Sequence, residues 1–198
     1  MLLSIAVFSQ EILHLNPPND ARGLTVLQAL SLRASASEFN PADLDFADLS
    51  DLLWAANGIN RPDEGKRTAP SAMNAQDIDV YVFMKTAVYL YDAKQHNLIK
   101  VTDGDYRKLV AGRQALMAGA PVFCLLVSDI SRFRSGEESA KLTWAAMDAG
   151  IVSQNISLFC ASIGLKTRPR ATMDQEKLRE LLQLKDTQHL MLNHPVSY

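Results

Sequence analysis

Two cysteines in 198 residues are too few to staple a chain of this length, and both lie in apolar runs, Cys124 in VFCLLV and Cys160 in LFCASIG. In such surroundings cysteine acts as a small hydrophobe, so neither a disulfide framework nor a metal knuckle is expected. An excess of one charge is lacking as well. Twenty basic against 22 acidic residues leave a formal net charge of −2, which gives no long-range attraction for polyanions and argues against nucleic acid as a partner. No apolar stretch is long enough to cross a bilayer, so stable membrane association is not expected. Glycine is sparse, nine in all, and none of it builds the fingerprint of a dinucleotide fold. Gly65-Lys66-Arg67 ends like a phosphate loop, but Gly58 lies seven residues before Gly65 instead of five, and Arg67 stands where a magnesium-binding hydroxyl is needed. A G-x-S-x-G nucleophile elbow is absent. His14 and His96 stand alone, and the spacing of His189 and His194 puts them on opposite faces of an expected strand, which is no metal-ligand pattern.

What the chain does have is 47% hydrophobic residues, enough to bury one substantial core, and the length fits a single domain. The opening MLLSIAVFSQE is like the back half of a secretory signal ending near Ser9, without the positive leading region such signals carry. It leaves the compartment open between cytoplasm and export. HLNPPNDARG, with Pro17, Pro18 and Gly23, reads as an extended arm, so residues 1–23 are taken as an arm and 24–198 as the folded domain.

From Thr25 to about Arg33 the apolar residues Val26, Leu27 and Leu30 share one side of a helix. DFADLSDLLWAANG predicts a second, with Phe46, Leu49, Leu53 and Ala56 in step, Asp45 and Asp48 as a capping pair and Gly58 past its end. Residues 60–77 show no periodicity and read as a long loop, a length that usually signals function. VYVFMKTAVYLYDAKQHNLIKV predicts three strands in an antiparallel meander, broken at Lys85-Thr86 and at Ala93 to Asn97, and a helix is expected around DYRKLVAGRQALM. PVFCLLVS fits a buried central strand. After the polar SRFRSGEES, with Ser139 as a candidate cap, the longest helix is predicted from about Ala140 to Ile163. Its apolar set is Leu142, Ala145, Ala149, Val152, Ile156, Phe159 and Ile163, with Trp144, Ile151 and Leu158 opposite. A helix apolar on both flanks is buried on more than one side, as at the centre of a dimer. DQEKLRELLQL predicts a further helix and TQHLMLNHPV a last strand.

LRASASEF, Leu32 to Phe39, then raises a question. A guanidinium fork with nearby hydroxyls matches a phosphate, but the same residues also serve as a polar link between helices. Two more stretches bear on it. APSAMNAQ, Ala69 to Gln76, and DAGIVSQNISLFCASIGLKTRPRATMD, Asp148 to Asp174, stand in that order after Arg33-Ala34-Ser35 and Phe39. Taken together, the three stretches resemble the FMN-dependent nitroreductase-like flavoproteins, whose motifs are Arg-x-Ser with a following aromatic, Pro-Ser-x-x-Asn-x-Gln, and a central helix ending in Gly-Leu before a short strand and a capping aspartate.

The resemblance runs from Leu24 to the C-terminus. It implies an α+β fold with a mainly antiparallel central sheet flanked by helices, a long central helix at the interface of a homodimer, and two FMN molecules bound between subunits. It also implies cofactor contacts from Arg33, Ser35 and Ser37, from Pro70, Ser71 and Asn74, and from Pro169, Ala171 and Thr172. Arg33 and Ser35 would hold the phosphate, Asn74 would reach the isoalloxazine ring, and the backbone at Ala171 and Thr172 would lie beside flavin N5. No residue is expected to be catalytic in its own right, since the flavin carries the chemistry. The implied activity is passage of hydride from NADH or NADPH through flavin N5 to a small-molecule acceptor such as a nitroaromatic or quinone. A flavin oxidase or dehydrogenase acting on a peptide or small metabolite, and a non-enzymatic flavin-binding dimer, are the alternatives. Three departures from the family pattern are expected to weaken FMN binding: Ser37 where many members are basic, Thr172 in place of a common glycine, and an ending at HPVSY without a further basic phosphate ligand.

Overall fold

The computed structural model describes residues 11–198. The suggested signal-like segment therefore lies outside the described residues. At the centre is a seven-stranded sheet in the order β1-β6-β5-β4-β7-β9-β8. Its strands are β1 (Ile12–His14), β4 (Ile78–Phe83), β5 (Ala87–Asp92), β6 (Asn97–Asp103), β7 (Val122–Asp129), β8 (Lys166–Thr167) and β9 (Gln188–Ser197). Every pairing between these strands is antiparallel. The expected meander is β4, β5 and β6, and the expected central strand is β7, paired on both edges.

Strand β7 explains how an apolar run becomes a two-sided core. Alternate side chains of a strand point to opposite faces. Val122, Cys124 and Leu126 enter the cluster that holds Leu49, Leu52, Leu53 and Ala56 of α2 (Phe46–Asn57) and Ala149, Val152, Ile156 and Cys160 of α4 (Glu138–Ile163). Phe123, Leu125 and Val127 enter the other, against Val110 and Ala111 of α3 (Arg107–Ala111) and Leu178 of α5 (Gln175–Leu181). With apolar cover on both faces the strand needs no polar alternation. Both cysteines are buried, as small hydrophobes would be, and burial pushes the Cys124 thiol up to about 12.

Helix α1 (Val26–Leu32) is opened by Thr25, whose side chain accepts from the Gln28 N–H while Gln28 returns a bond to the cap backbone. Asp45 caps α2, but Asp48 has other work: it takes Arg22 of the arm and the Tyr198 hydroxyl. Helix α4 begins at Glu138 and not at a serine cap. Glu137 sits at the cap position without a side-chain bond, and Ser139 lies inside the first turn, its carbonyl taking the Thr143 hydroxyl. Gly164, at φ 80°, ends the helix in the left-handed conformation that glycine adopts without strain. The long loop is more ordered than its composition suggests, because Ile59–Arg61 (β2) and Lys66–Arg67 (β3) pair as a small hairpin closed by Gly65. The helix expected around residues 105–117 is only the short α3, followed by a 3-10 turn over Ala115–Gly119.

Candidate functional site

The residues expected to hold a cofactor lie in three segments, and α4 backs two of them. The Arg33 amide closes α1 by donating to the Ala29 carbonyl, after which the chain leaves the helix extended. Ser35 bridges Thr167 in parallel, and the Ala36 N–H donates to the Thr167 carbonyl at 3.0 Å. Ser35 and Ala36 thus run along the free edge of β8, and Arg33, exposed at the end of α1, stands two residues before the bridge and outside the lining of the cleft beside it. That cleft, of about 350 Å³, is lined by Ser35, Ser37, Glu38, Ser157 and Ala161 of α4, and Lys166. Lys166 is exposed and adds a cation that reading the motifs did not include. Only its position on β8, one residue before the bridged Thr167, discloses it.

The second segment continues from β8. Arg170 is buried, and its guanidinium donates to the Gln114 side chain (2.9 Å), the Asn193 side chain (2.7 Å) and the carbonyls of Val110 and Ala111. Its backbone exchanges two bonds with Asn193, and Asn193 Nδ2 donates to the Thr172 carbonyl at 3.2 Å. The turn at 170–172 is therefore pinned to β9 and to the end of α3. Ala171 and Thr172 are exposed, and their N–H groups have no hydrogen-bond partner among the described residues. Two free donors on an immobilised turn are what an electron-rich ligand edge can use. Pro169 sits exposed at the near end of the same turn.

The third segment is the loop at 70–76. Met73, Asn74 and Gln76 all have positive φ, at 53°, 53° and 49°. Such backbone is uncommon outside glycine, and a cluster of it points to a functional loop. The loop is held from below. The Ala72 N–H donates to both oxygens of Asp148 (2.9 and 3.1 Å), Gln76 N–H to Ser71 Oγ (2.8 Å) and Arg132 to the Gln76 carbonyl (2.8 Å). Asn74 is exposed and its left-handed conformation is one asparagine tolerates, so a turn role already accounts for this residue type. Pro70 and Ser71 line a small crevice over Asp148.

Beneath this loop lies a feature not legible in the motifs. Asp77 is fully buried; its Oδ2 accepts the Ser128 hydroxyl at 2.5 Å, and its Oδ1 has no donor among the described residues. Burial, with the Asp148 carboxyl alongside, pushes the Asp77 carboxyl up to about 7. A proton held on Asp77 would give the unpartnered Oδ1 a hydrogen to offer the neighbouring Asp148 carboxyl. The sequence signal was an acid at a buried position of α4, one residue before Ala149 of its apolar seam. His194, also fully buried, is pushed down to about 3 by desolvation and stays neutral. It meets the Ser153 hydroxyl at Nε2 (2.8 Å) and Thr167 Oγ1 at Nδ1 (3.2 Å), tying α4 to β8 behind the cleft.

The 33–37 and 169–172 segments are continuous around β8. The 70–76 loop is not with them. Its anchor, Asp148, and the cleft residue Ser157 are about two and a half turns apart on α4 and so point in opposite directions.

A mainly antiparallel sheet between two helical layers, with one long helix on one face, is the nitroreductase fold. The solved structure of a Ralstonia eutropha protein named for a nitroreductase superposes with a TM-score of 0.87 at 31% identity, covering 94% of this chain and 88% of that one. The chain belongs to the Nitroreductase family, whose model matches residues 30–198, and its class of chemistry is that of an oxidoreductase. A Methanocaldococcus jannaschii protein named as a nitroreductase is 26% identical over 182 residues, 87% of this chain and 91% of the relative. A Staphylococcus epidermidis protein named as an NAD(P)H:FMN oxidoreductase shares the fold at a TM-score of 0.67 and 11% identity, covering 91% of this chain and 90% of that one.

Proposed function

We propose that this chain is an FMN-dependent oxidoreductase that takes hydride from NADH or NADPH and delivers it to a small electron-poor acceptor, a nitroaromatic or quinone, and that it works as a homodimer. The observation that carries the reading is Ser35, bridged to β8 two residues after Arg33, together with the free N–H groups of Ala171 and Thr172 on the pinned turn that β8 leads into. The donor set fits FMN: a guanidinium and hydroxyls for a phosphate, backbone N–H groups for a ring edge, and a cleft within the size range of small-molecule sites. Bound FMN would supply hydride acceptance and delivery at N5. The chain's own groups bind and orient: Arg33 and Ser35 hold the phosphate, Ser37 adds a hydroxyl, Lys166 supplies the positive charge that Ser37 cannot, and Ala171 and Thr172 present donors to the N5 edge.

A second copy is part of the proposal for two reasons. The Pro70, Ser71 and Asn74 loop cannot reach the cleft of its own subunit from the opposite side of α4, so it would serve the partner's flavin. Helix α1, beside the cleft, leaves Leu27 79%, Val26 67% and Leu32 61% exposed, an apolar face of the kind that a partner covers.

The purified protein should be yellow, carry one FMN per subunit and bleach on anaerobic mixing with NADH or NADPH. Bound flavin that neither nicotinamide bleaches would overturn the proposed activity in favour of a flavin oxidase or dehydrogenase with another donor, or of a flavin-binding dimer without turnover. Failure to bind FMN at all would overturn the cofactor.

A further inference from the structure

A second cleft, of about 580 Å³, opens on the other side of the 171–174 turn, lined by Lys108, Gly112, Arg113, Ala171, Thr172, Met173 and Asp174. It exists because α3 and this turn approach closely. Gly112 has φ 58°, and a Cβ there would lie 3.1 Å from Met173 Cα, so only glycine lets the two backbones meet. The approach brings two exposed cations of α3 and its end, Lys108 and Arg113, to the rim beside the free Ala171 and Thr172 N–H groups.

The charge of this cleft is unbalanced. Neither Lys108 nor Arg113 has a carboxylate in ion-pair contact among the described residues. Behind them Arg170 is buried with carbonyl and amide partners only, a cation without a counter-charge, and Arg168 is near enough to oppose it. The one acid in the lining, Asp174, already accepts from the Lys177 N–H and pairs with the Lys177 ammonium at 3.2 Å. A buried guanidinium without a counterion is costly to a fold, and cations that line a concave wall focus their potential into it. Two exposed cations on the rim, with a third buried behind them, thus favour an anion, although Asp105, itself paired with Arg107, acts on Lys108 from the side and the chain as a whole is slightly acidic.

We infer that this cleft, through Lys108 and Arg113, binds the anionic group of the molecule that exchanges electrons at the site, a carboxylate on the acceptor or a phosphate on the nicotinamide donor. The inference rests on the proposed function, because it takes the Ala171 and Thr172 edge as the reacting edge. It narrows the substrate class to negatively charged compounds and gives α3 the task of selecting them.

The test is calorimetric titration of the FMN-loaded protein with two matched pairs: 4-nitrobenzoate against 4-nitrobenzamide, and adenosine 2′-phosphate against adenosine. Each anion should bind at least tenfold tighter than its neutral partner, and the double variant K108Q/R113Q should remove that advantage while moving the neutral ligands less than twofold. Lys94→Gln, which deletes one exposed charge in the β5-β6 turn, should leave the preference intact. A preference confined to the carboxylate pair assigns the cleft to the acceptor, and one confined to the phosphate pair assigns it to NADPH. Equal binding of charged and neutral ligands, or a preference that survives K108Q/R113Q, overturns the inference. Flavin content and bleaching by NADH, measured on the same wild-type sample, report separately on the proposed function. If the sample bleaches but shows no anion preference, the inference fails alone. If it holds no flavin, the function fails, and titration of the flavin-free protein still reports on the cleft.

Discussion

The buried pair Asp77 and Asp148 makes a quantitative prediction, because a carboxyl that keeps its proton only in the folded state makes stability depend on pH. In the native protein burial, and then the Asp148 carboxyl, push the Asp77 carboxyl from 3.8 up to about 7. Unfolded, it should titrate at its ordinary value. Between those values the native state binds one proton more than the unfolded state, so stability falls as pH rises, by about 1.4 kcal/mol per pH unit at most. Over the whole window the ceiling is about 4 kcal/mol. Asp77→Asn reproduces the protonated acid: its oxygen can accept from Ser128 and its nitrogen donate to Asp148. The variant should match wild type near pH 3, below the ordinary carboxyl value, and exceed it at pH 8, by about 5 to 15 °C in Tm for a chain of this size. The difference between the two proteins is the measure, since other acids titrate in both. Asp105, held below its usual range by the Arg107 guanidinium, contributes with the opposite sign and mainly at lower pH. Parallel stability curves from pH 4.5 to pH 8, with Asp77→Asn folded, would refute the shared proton.

Three further outcomes can be measured. Arg33→Ala should weaken FMN binding roughly 10- to 100-fold, the loss of one charge-assisted phosphate contact of about 1.5 to 3 kcal/mol, and leave riboflavin binding nearly unchanged; an equal loss for both would make Arg33 structural. Leu27→Glu places an acid in the first turn of α1 at an exposed position, so the monomer should be no less stable while sedimentation shows the dimer dissociated; a variant that remains dimeric at low micromolar concentration would remove α1 from the interface. Asn74→Gly keeps the left-handed backbone, so unchanged FMN affinity would leave Asn74 a turn residue, and a loss of tenfold or more with an unaltered Tm would make it a flavin contact.

The elements that bury a regular stripe were legible in the sequence. The meander, the central strand, the aspartate-capped α2 and α5 and the length of α4 all follow from local pattern. Where long-range contacts decide, the pattern was silent. Helix α3 stops after one turn because Gly112 must meet Met173, a close approach that no local periodicity announces. The β2-β3 hairpin sits in a stretch of mixed charge, and its stability comes from outside: Gln76 Nε2 donates to the Gly65 carbonyl, and the Trp54 ring nitrogen donates to Ile59. Ser139 suggested a cap by its residue type, but helix starts tolerate a shift of a few residues, and Glu137 has the extended backbone of a cap instead.

The site shows the same division more sharply. Motif order put Arg33, Ser35 and the 169–172 turn into one expectation, and of these the structure ties Ser35 to Thr167 of β8, the strand that leads into the turn. The polar groups that hold those segments still, Arg170 with Asn193, His194 with Ser153 and Thr167, and Asp77 with Asp148, lie far apart in sequence and within apolar runs, where residue type alone suggests burial without a task. Each is buried and would cost stability without its partner, so each is retained only if the geometry it imposes matters. That geometry is the placement of three exposed segments: the turn at 170–172, the strand edge at β8 and the loop at 70–76. The buried polar pairs therefore act as positioning groups for surfaces they never reach, and their loss should appear first as loosened backbone at those three segments, measurable by hydrogen exchange, before the chain unfolds.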